Sequence, residues 1–302
     1  MIIQQSGEVV PGFHVLYPID VPVFLLDGDH PVLFDAGFSC LARMYEGQIR
    51  RILEDRDPAW CCLTHSHFDH LGAAPYFKKR FPGLAVCAHE KAGDVLRRES
   101  AVERIRMLNV AGAASVAAYG VEIGDSEPFE SFTLDRALKA GDEITVAEGL
   151  TVRVYETPGH TRDCLSYYIP EKKMLIASEA LGIPDYTGYV FTDFLVGYDL
   201  YLDSMKSLKD LEVDVLCFGH TYVYTGEDAR GHIARAMRSA EQFFSLVADL
   251  STEEKGDIER IKQRVRAIEY DCKTGSKQPE PAYLLNLEAR ILAVQRRLSP
   301  GA

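Results

Sequence analysis

The chain lacks any run of about 20 apolar residues, the length that a membrane-spanning helix needs. Its first residues lack the basic start, apolar stretch and small-residue cleavage site of a secretory leader. An excess of positive charge is missing too. The 302 residues carry 33 Lys and Arg against 45 Asp and Glu, a net charge of -12. Binding a phosphate backbone needs clustered cations, so neither a nucleic acid nor a membrane surface is an expected partner. There is no disulfide framework. The seven cysteines are odd in number, and only Cys61 and Cys62 are close in sequence. Most of them sit in apolar runs, where a reduced thiol packs as a small hydrophobe. A reducing, cytoplasmic setting is therefore expected. No internal repeat is visible. What the chain does have is 47% hydrophobic residues, ample for a large core.

The apolar runs Val21 to Leu26 and Pro31 to Phe34 are split by Asp27-Gly-Asp-His30, which predicts a β-hairpin. Asp35-Ala-Gly37 follows as a sharp exit. A helix is expected over 41–55, stopped by Asp57-Pro58. Trp60 to Leu63 reads as a short buried strand, 71–81 as one helix, and Leu84 to Ala88 as another strand. The apolar positions of 91–120 (Val95, Leu96, Val102, Ile105, Leu108, Val110) fit helical spacing and mark a helical insert. Strands resume over 143–156, 165–169 and 173–177. A loop rich in Tyr, Gly and Pro covers 182–194, a helix 198–211 and a strand 213–218. Past residue 230 only helices are expected, over 230–250, 253–270 and 281–298. This predicts an α/β core over 1–228 and a helical extension over 229–302.

The strand at 60–63 runs into His65-Ser66-His67-Phe68-Asp69-His70. A regular strand or helix would spread these side chains over several faces, whereas a loop at a strand end can aim them at one point. Imidazole nitrogen with carboxylate oxygen suits Zn²⁺, Fe or Mn²⁺. A polar loop with fortuitous histidines is the alternative. With nine His in the chain, three within six residues make it a poor account.

This H-x-H-x-D-H run resembles the signature of the metallo-β-lactamase superfamily, as do further sites in the same order. Thr157-Pro-Gly-His160 resembles its later Gly-His pair, Phe218-Gly-His220 its last histidine, and Asp35-Ala-Gly37 its early turn. The resemblance implies an αββα sandwich. It also implies two divalent ions, Zn or Fe, with Mn compatible. His65, His67 and His160 would hold one, and Asp69, His70 and His220 the other, with Asp69 also counted as catalytic. The bridging carboxylate of the family is normally Asp, and Glu179 stands in its place. His89 is expected to be a surface or supporting histidine, and His14, His30 and His232 have no metal-like partners.

The segment Glu99 to Asn109, Ala180-Leu-Gly182 and the helical tail are similar to PqsE-type thioesterases of quinolone-signal biosynthesis. Gly219-His220-Thr-Tyr222 is similar to the last-ligand context of glyoxalase II. Both likenesses imply an acyl thioester substrate of the CoA type. A lactone or other carboxylic ester is an alternative. So is a weakly active protein that binds a ligand or partner through an altered metal site. Tyr186, Tyr189 and Phe194, with Phe191, either line a substrate pocket or pack under the tail. Lys91, Arg97, Arg98, Arg104 and Arg106 either meet CoA-like phosphates or form a solvated helix face. A homodimer built by the tail is left open.

Overall fold

The computed structural model describes residues 1–118, 123, 127–274 and 277–299. Residues 119–120 of the expected insert, and 275–276 and 300–302 of the expected tail, lie outside that range. The chain divides into two compact units. The first comprises Met1–Glu156, Asp163–Ser178 and Leu211–Arg230; the second comprises Thr157–Arg162, Glu179–Asp210 and Gly231–Ala302.

The first unit holds two seven-stranded sheets. One runs in the order 7–10, 13–15, 24–26, 32–34, 60–62, 85–89, 136–138. The other runs 2–3, 223–225, 215–217, 174–176, 165–169, 150–156, 143–147. Strands 32–34, 60–62, 85–89 and 136–138 are parallel to one another in succession, while 24–26 and 32–34 form the expected antiparallel hairpin. Strands buried on both faces read as near-continuous apolar runs, which is why Phe24 to Leu26 and Val32 to Phe34 show no polar alternation. Their period is nevertheless two. Phe24, Leu26, Val32, Phe34, Cys62 and Cys87 pack with Val152, Leu165, Ile176 and Cys217 of the other sheet. Leu25, Leu33, Cys61 and Val86 point the other way, onto helices. Tyr45, Ile49 and Leu53 of helix Ala42–Leu53, Phe77 of helix Ala74–Arg80, and Val102 and Ile105 of helix Glu99–Ala118 cover that face.

The helix expected over 71–81 runs over Ala74–Arg80, preceded by a separate one-turn helix, Phe68–Leu71. The break falls where Gly72 abuts the Gly37 turn. A Cβ on Gly72 would stand 2.7 Å from Gly37 O and from Ser39 N, so only glycine passes there. The loop expected over 182–194 contains a ribbon of Ile183–Pro184 paired with Val190–Phe191. Asp185 Oδ1 closes its turn by accepting from the backbone N–H groups of Thr187 and Tyr189.

The second unit is mainly helical, with helices Tyr198–Leu208, His232–Glu253, Ile258–Arg266 and Glu280–Leu298. The helix expected over 253–270 starts only at 258, where Asp257 caps it by accepting from Arg260 N. It then widens into a π turn over Ala267–Asp271. Glu269 and Arg290 form a buried bidentate ion pair at 2.8 and 2.9 Å. No helix among the described residues is long and apolar enough to cross a membrane.

Candidate metal centre

In the first unit the site starts at the end of strand Trp60–Cys62. The chain bends at Thr64, whose N–H donates to Asp35 Oδ1 at 2.6 Å. The Thr64 hydroxyl lies 2.9 Å from Asp35 Oδ2, 3.1 Å from Ser178 Oγ and 3.0 Å from His65 Nδ1. A hydroxyl has one proton, and the Asp35 carboxylate is the partner that only accepts. The Thr64 oxygen is then an acceptor for His65 Nδ1–H. His65 therefore keeps its Nε2 lone pair for a cation.

The same tautomer recurs. His70 Nδ1 donates to Asp35 Oδ2 at 2.8 Å, and His220 Nδ1 donates to the Asp20 carbonyl at 3.0 Å. A carbonyl cannot donate, so His220 carries its proton on Nδ1. Carboxylate or carbonyl support on one imidazole nitrogen is how metal-binding histidines are oriented and made more basic. The rings of His65 and His67 are 4.6 Å apart, those of His65 and His70 4.2 Å, and those of His70 and His220 5.4 Å. Donor atoms of Asp69, His70 and His220 all lie within 4.8 Å of one another. This donor set, imidazole nitrogens plus a carboxylate, fits a divalent cation.

Asp35 holds its place at a backbone φ of 61°, and its N–H donates to Cys62 O. A non-glycine residue at such a φ is uncommon and is kept by its surroundings. Asn109 of helix 99–118 braces the loop from the other side. Its Oδ1 accepts from Ser39 N at 3.0 Å, and its Nδ2 donates to Phe68 O at 3.2 Å. Sequence reading placed neither Asp35, Thr64 nor Asn109 among the site residues. Only the Asp-x-Gly turn hinted at the first. Thiolates take no part here. Burial pushes Cys61 and Cys62 well above the usual thiol range and Cys87 up to about 12.

In the second unit His160 Nδ1 donates to the Asp193 carbonyl at 2.9 Å, again leaving Nε2 for a cation. Glu179 is 3% exposed, and its carbonyl accepts from Tyr201 Oη and from Gly182 N. Phe194 is fully buried among Tyr198, Tyr201 and Phe243. Tyr189 Oη donates to Glu269 at 2.7 Å, and the half-exposed Tyr186 pairs with Thr274. In the first unit His89 is buried and accepts from Lys91 N, and Arg97 and Arg106 pair with Asp94 and Glu103.

The chain belongs to the metallo-β-lactamase superfamily, whose family description matches residues 16–220. Its fold is the mixed α/β metallo-β-lactamase fold with a helical C-terminal region. It is 29% identical to glyoxylase B2 of Dictyostelium discoideum over 156 residues, 51% of this chain and 46% of that one. It is 23% identical to "Probable metallo-hydrolase YybB" of Bacillus subtilis (strain 168), over 78% of this chain and 99% of that one. A hydroxyacylglutathione hydrolase of Rhodopseudomonas palustris (strain BisB5) is 27% identical over 53% of this chain and 47% of its own. The chain thus spans less than half of the glyoxylase and of the hydroxyacylglutathione hydrolase. The metallo-beta-lactamase family protein TTHA1429 of Thermus thermophilus has a similar structure. Its TM-score is 0.62 at 21% identity, covering 96% of this chain and 94% of that one.

Proposed function

We propose that this chain is a metal-dependent hydrolase of acyl thioesters that holds two divalent ions. By resemblance to the family, His65, His67 and His160 would hold one, and Asp69, His70 and His220 the other, with Glu179 in the bridging position; within the first unit the donors of Asp69, His70 and His220 already converge. Chain connectivity supports this set. His160 lies on the segment that links strands 150–156 and 165–169, and Glu179 directly follows Ser178, which reaches Thr64. The observation that carries the reading is the Asp35–His70 pair beside Thr64–His65. One buried carboxylate fixes the proton-bearing nitrogen of His70 directly and that of His65 through a hydroxyl.

Bound divalent ions supply Lewis acidity and a water acidic enough to ionise near neutral pH. The chain's own residues do the rest. The Nδ1 contacts of His65, His70, His160 and His220 hold the rings in place and set Nε2 as the nitrogen each would offer a cation. Asp69, with Oδ2 3.6 Å from His220 Nε2, is assigned the carboxylate that accepts a proton from the attacking water. The oxygen then adds to the carbonyl carbon, the C–S bond breaks and the thiolate leaves with its electron pair. The names of the hydroxyacylglutathione hydrolases support a thioester, and so do the insert and tail resembling the PqsE type. Zinc or iron suits the donors, with manganese third. Seven cysteines outside any disulfide support a reducing, cytoplasmic setting.

The test is turnover of acyl-CoA, acylglutathione and lactone panels by protein purified without chelator or histidine tag. Thioester hydrolysis is expected, and Asp69→Ala should lower kcat about 10²–10⁴-fold, the range for a lost proton acceptor. Turnover of lactones alone would replace the thioester with a cyclic ester. Metal-loaded protein inert on every ester would show a binding protein.

A further inference from the structure

The second unit carries a chain of polar contacts that runs from a candidate ligand to the last helix. His160 Nδ1 donates to the backbone carbonyl of Asp193 at 2.9 Å, and Asp193 Oδ2 lies 3.5 Å from the same nitrogen. Both acceptors of one residue therefore flank one imidazole N–H. The carboxylate is in turn held from behind. Asn286 Nδ2, on helix Glu280–Leu298, donates to Asp193 Oδ2 at 2.9 Å. One turn further along that helix, Arg290 is 2% exposed, stacks on Phe243 at 3.7 Å and pairs with Glu269. Tyr189 and Tyr283 also donate to Glu269, so the helix is locked in rotation as well as in position. Asn286 is thus presented by a rigid element rather than by a mobile loop.

We propose that Asn286 is a positioning residue of the metal centre: it fixes the Asp193 carboxylate, which fixes the orientation of His160. The last helix then contributes to metal retention as well as to packing. Without the Asn286 amide, the Asp193 carboxylate loses its second anchor and can rotate away from His160 Nδ1. The imidazole keeps its carbonyl contact but loses the charge that restrains it. Groups that orient a ligand in this way cost about 10–100-fold in metal affinity when removed. Asn286 stands one step further out, so about tenfold is expected.

The proposal rests on the reading of His160 as a ligand, and the experiment separates the two. Zinc affinity is measured by competition with a chromophoric chelator on wild type, Asn286→Ala, Asp193→Asn and the double variant. Gln295→Ala, on the same helix but hydrogen-bonded to Gly256 O, serves as the control for helix damage. The expected result is about tenfold weaker binding of one zinc in Asn286→Ala and Asp193→Asn. The double variant should be no weaker than Asp193→Asn alone, because both act through one contact. Gln295→Ala should bind as wild type. The cobalt-substituted visible spectrum should shift in Asn286→Ala, a change that mere loss of stability would not cause. If Asn286→Ala does not fold, Asn286→Ser, which is smaller and can still donate, should fold and bind zinc at close to wild-type strength. Wild-type affinity in Asn286→Ala, or additive losses in the double variant, would overturn the positioning role and leave the metal centre intact. A wild-type protein that binds no zinc would overturn the metal reading itself.

Discussion

Asp35 organises the first-unit half of the site with one side chain. Its two oxygens accept from Thr64 N, Thr64 Oγ1 and His70 Nδ1, all within 2.9 Å. Asp35→Asn keeps the shape but places an amide where an acceptor is needed. If its nitrogen faces His70, that ring must give up the Nδ1 proton and with it the tautomer that leaves Nε2 for a cation. Metal affinity should fall about 10–100-fold, read by equilibrium dialysis against zinc. Unchanged affinity would mean that Asp35 serves folding alone. The convergence of Asp69, His70 and His220 was legible in their types and spacing. The importance of Asp35 was not, because it depends on a contact with a residue 35 positions later. The aromatic loop shows the opposite limit. Composition gave Phe194 and Tyr189 two roles, and the structure places one in a buried aromatic cluster and the other on Glu269.

Among the elements, helix 99–118 bears most directly on the ligand loop. Asn109 is 3% exposed and joins Ser39, Phe68 and Ile105 through its amide. Replacing it by Ala leaves buried backbone groups without partners, at about 1–3 kcal/mol for such a loss. Asn109→Ala should lower the urea midpoint accordingly, with the slope unchanged. An unaltered midpoint would show that the loop stands without this brace. The apolar hairpin of 24–26 and 32–34 and the amphipathic helix 42–53 were legible along the chain. The strands 7–10, 13–15, 136–138 and 223–225 were not, since three or four residues carry too little alternation to be told from a loop. The break at Gly72 was missed although Pro75, which has no N–H for Leu71 O, marks it in the sequence; Ala73 N turns instead to Gly37 O, a neighbour in space.

At the scale of the whole molecule, buried ionisable groups set the response to pH. His232 is fully buried with Nε2 2.9 Å from Leu181 O, and burial pushes its pKa down to about 4. The unfolded chain takes up this proton near pH 6.5, well before the folded protein does. The contribution to stability is therefore full above about pH 6.5. It is lost as the pH falls toward about 4 and is constant below that. The loss amounts to about 3 kcal/mol. His232→Gln should flatten that part of the stability profile in urea titrations at about pH 7 and about pH 4.5. A parallel decline in both proteins would contradict it. The order of the histidine motifs along the chain made the family legible, as its match over residues 16–220 shows. The acyl group was not legible, because a ligand set specifies the attacking water and leaves the substrate to surfaces that composition does not describe.

The proposed two-ion centre would rest on Asp35-supported histidines, with Glu179 as the proposed bridging carboxylate. Elemental analysis of protein purified without chelator or tag tests it most directly, with Glu179→Ala beside the wild type. Two ions per chain, falling toward one in Glu179→Ala, is the predicted result. Fewer than one ion per wild-type chain after incubation with zinc, iron or manganese would contradict the account.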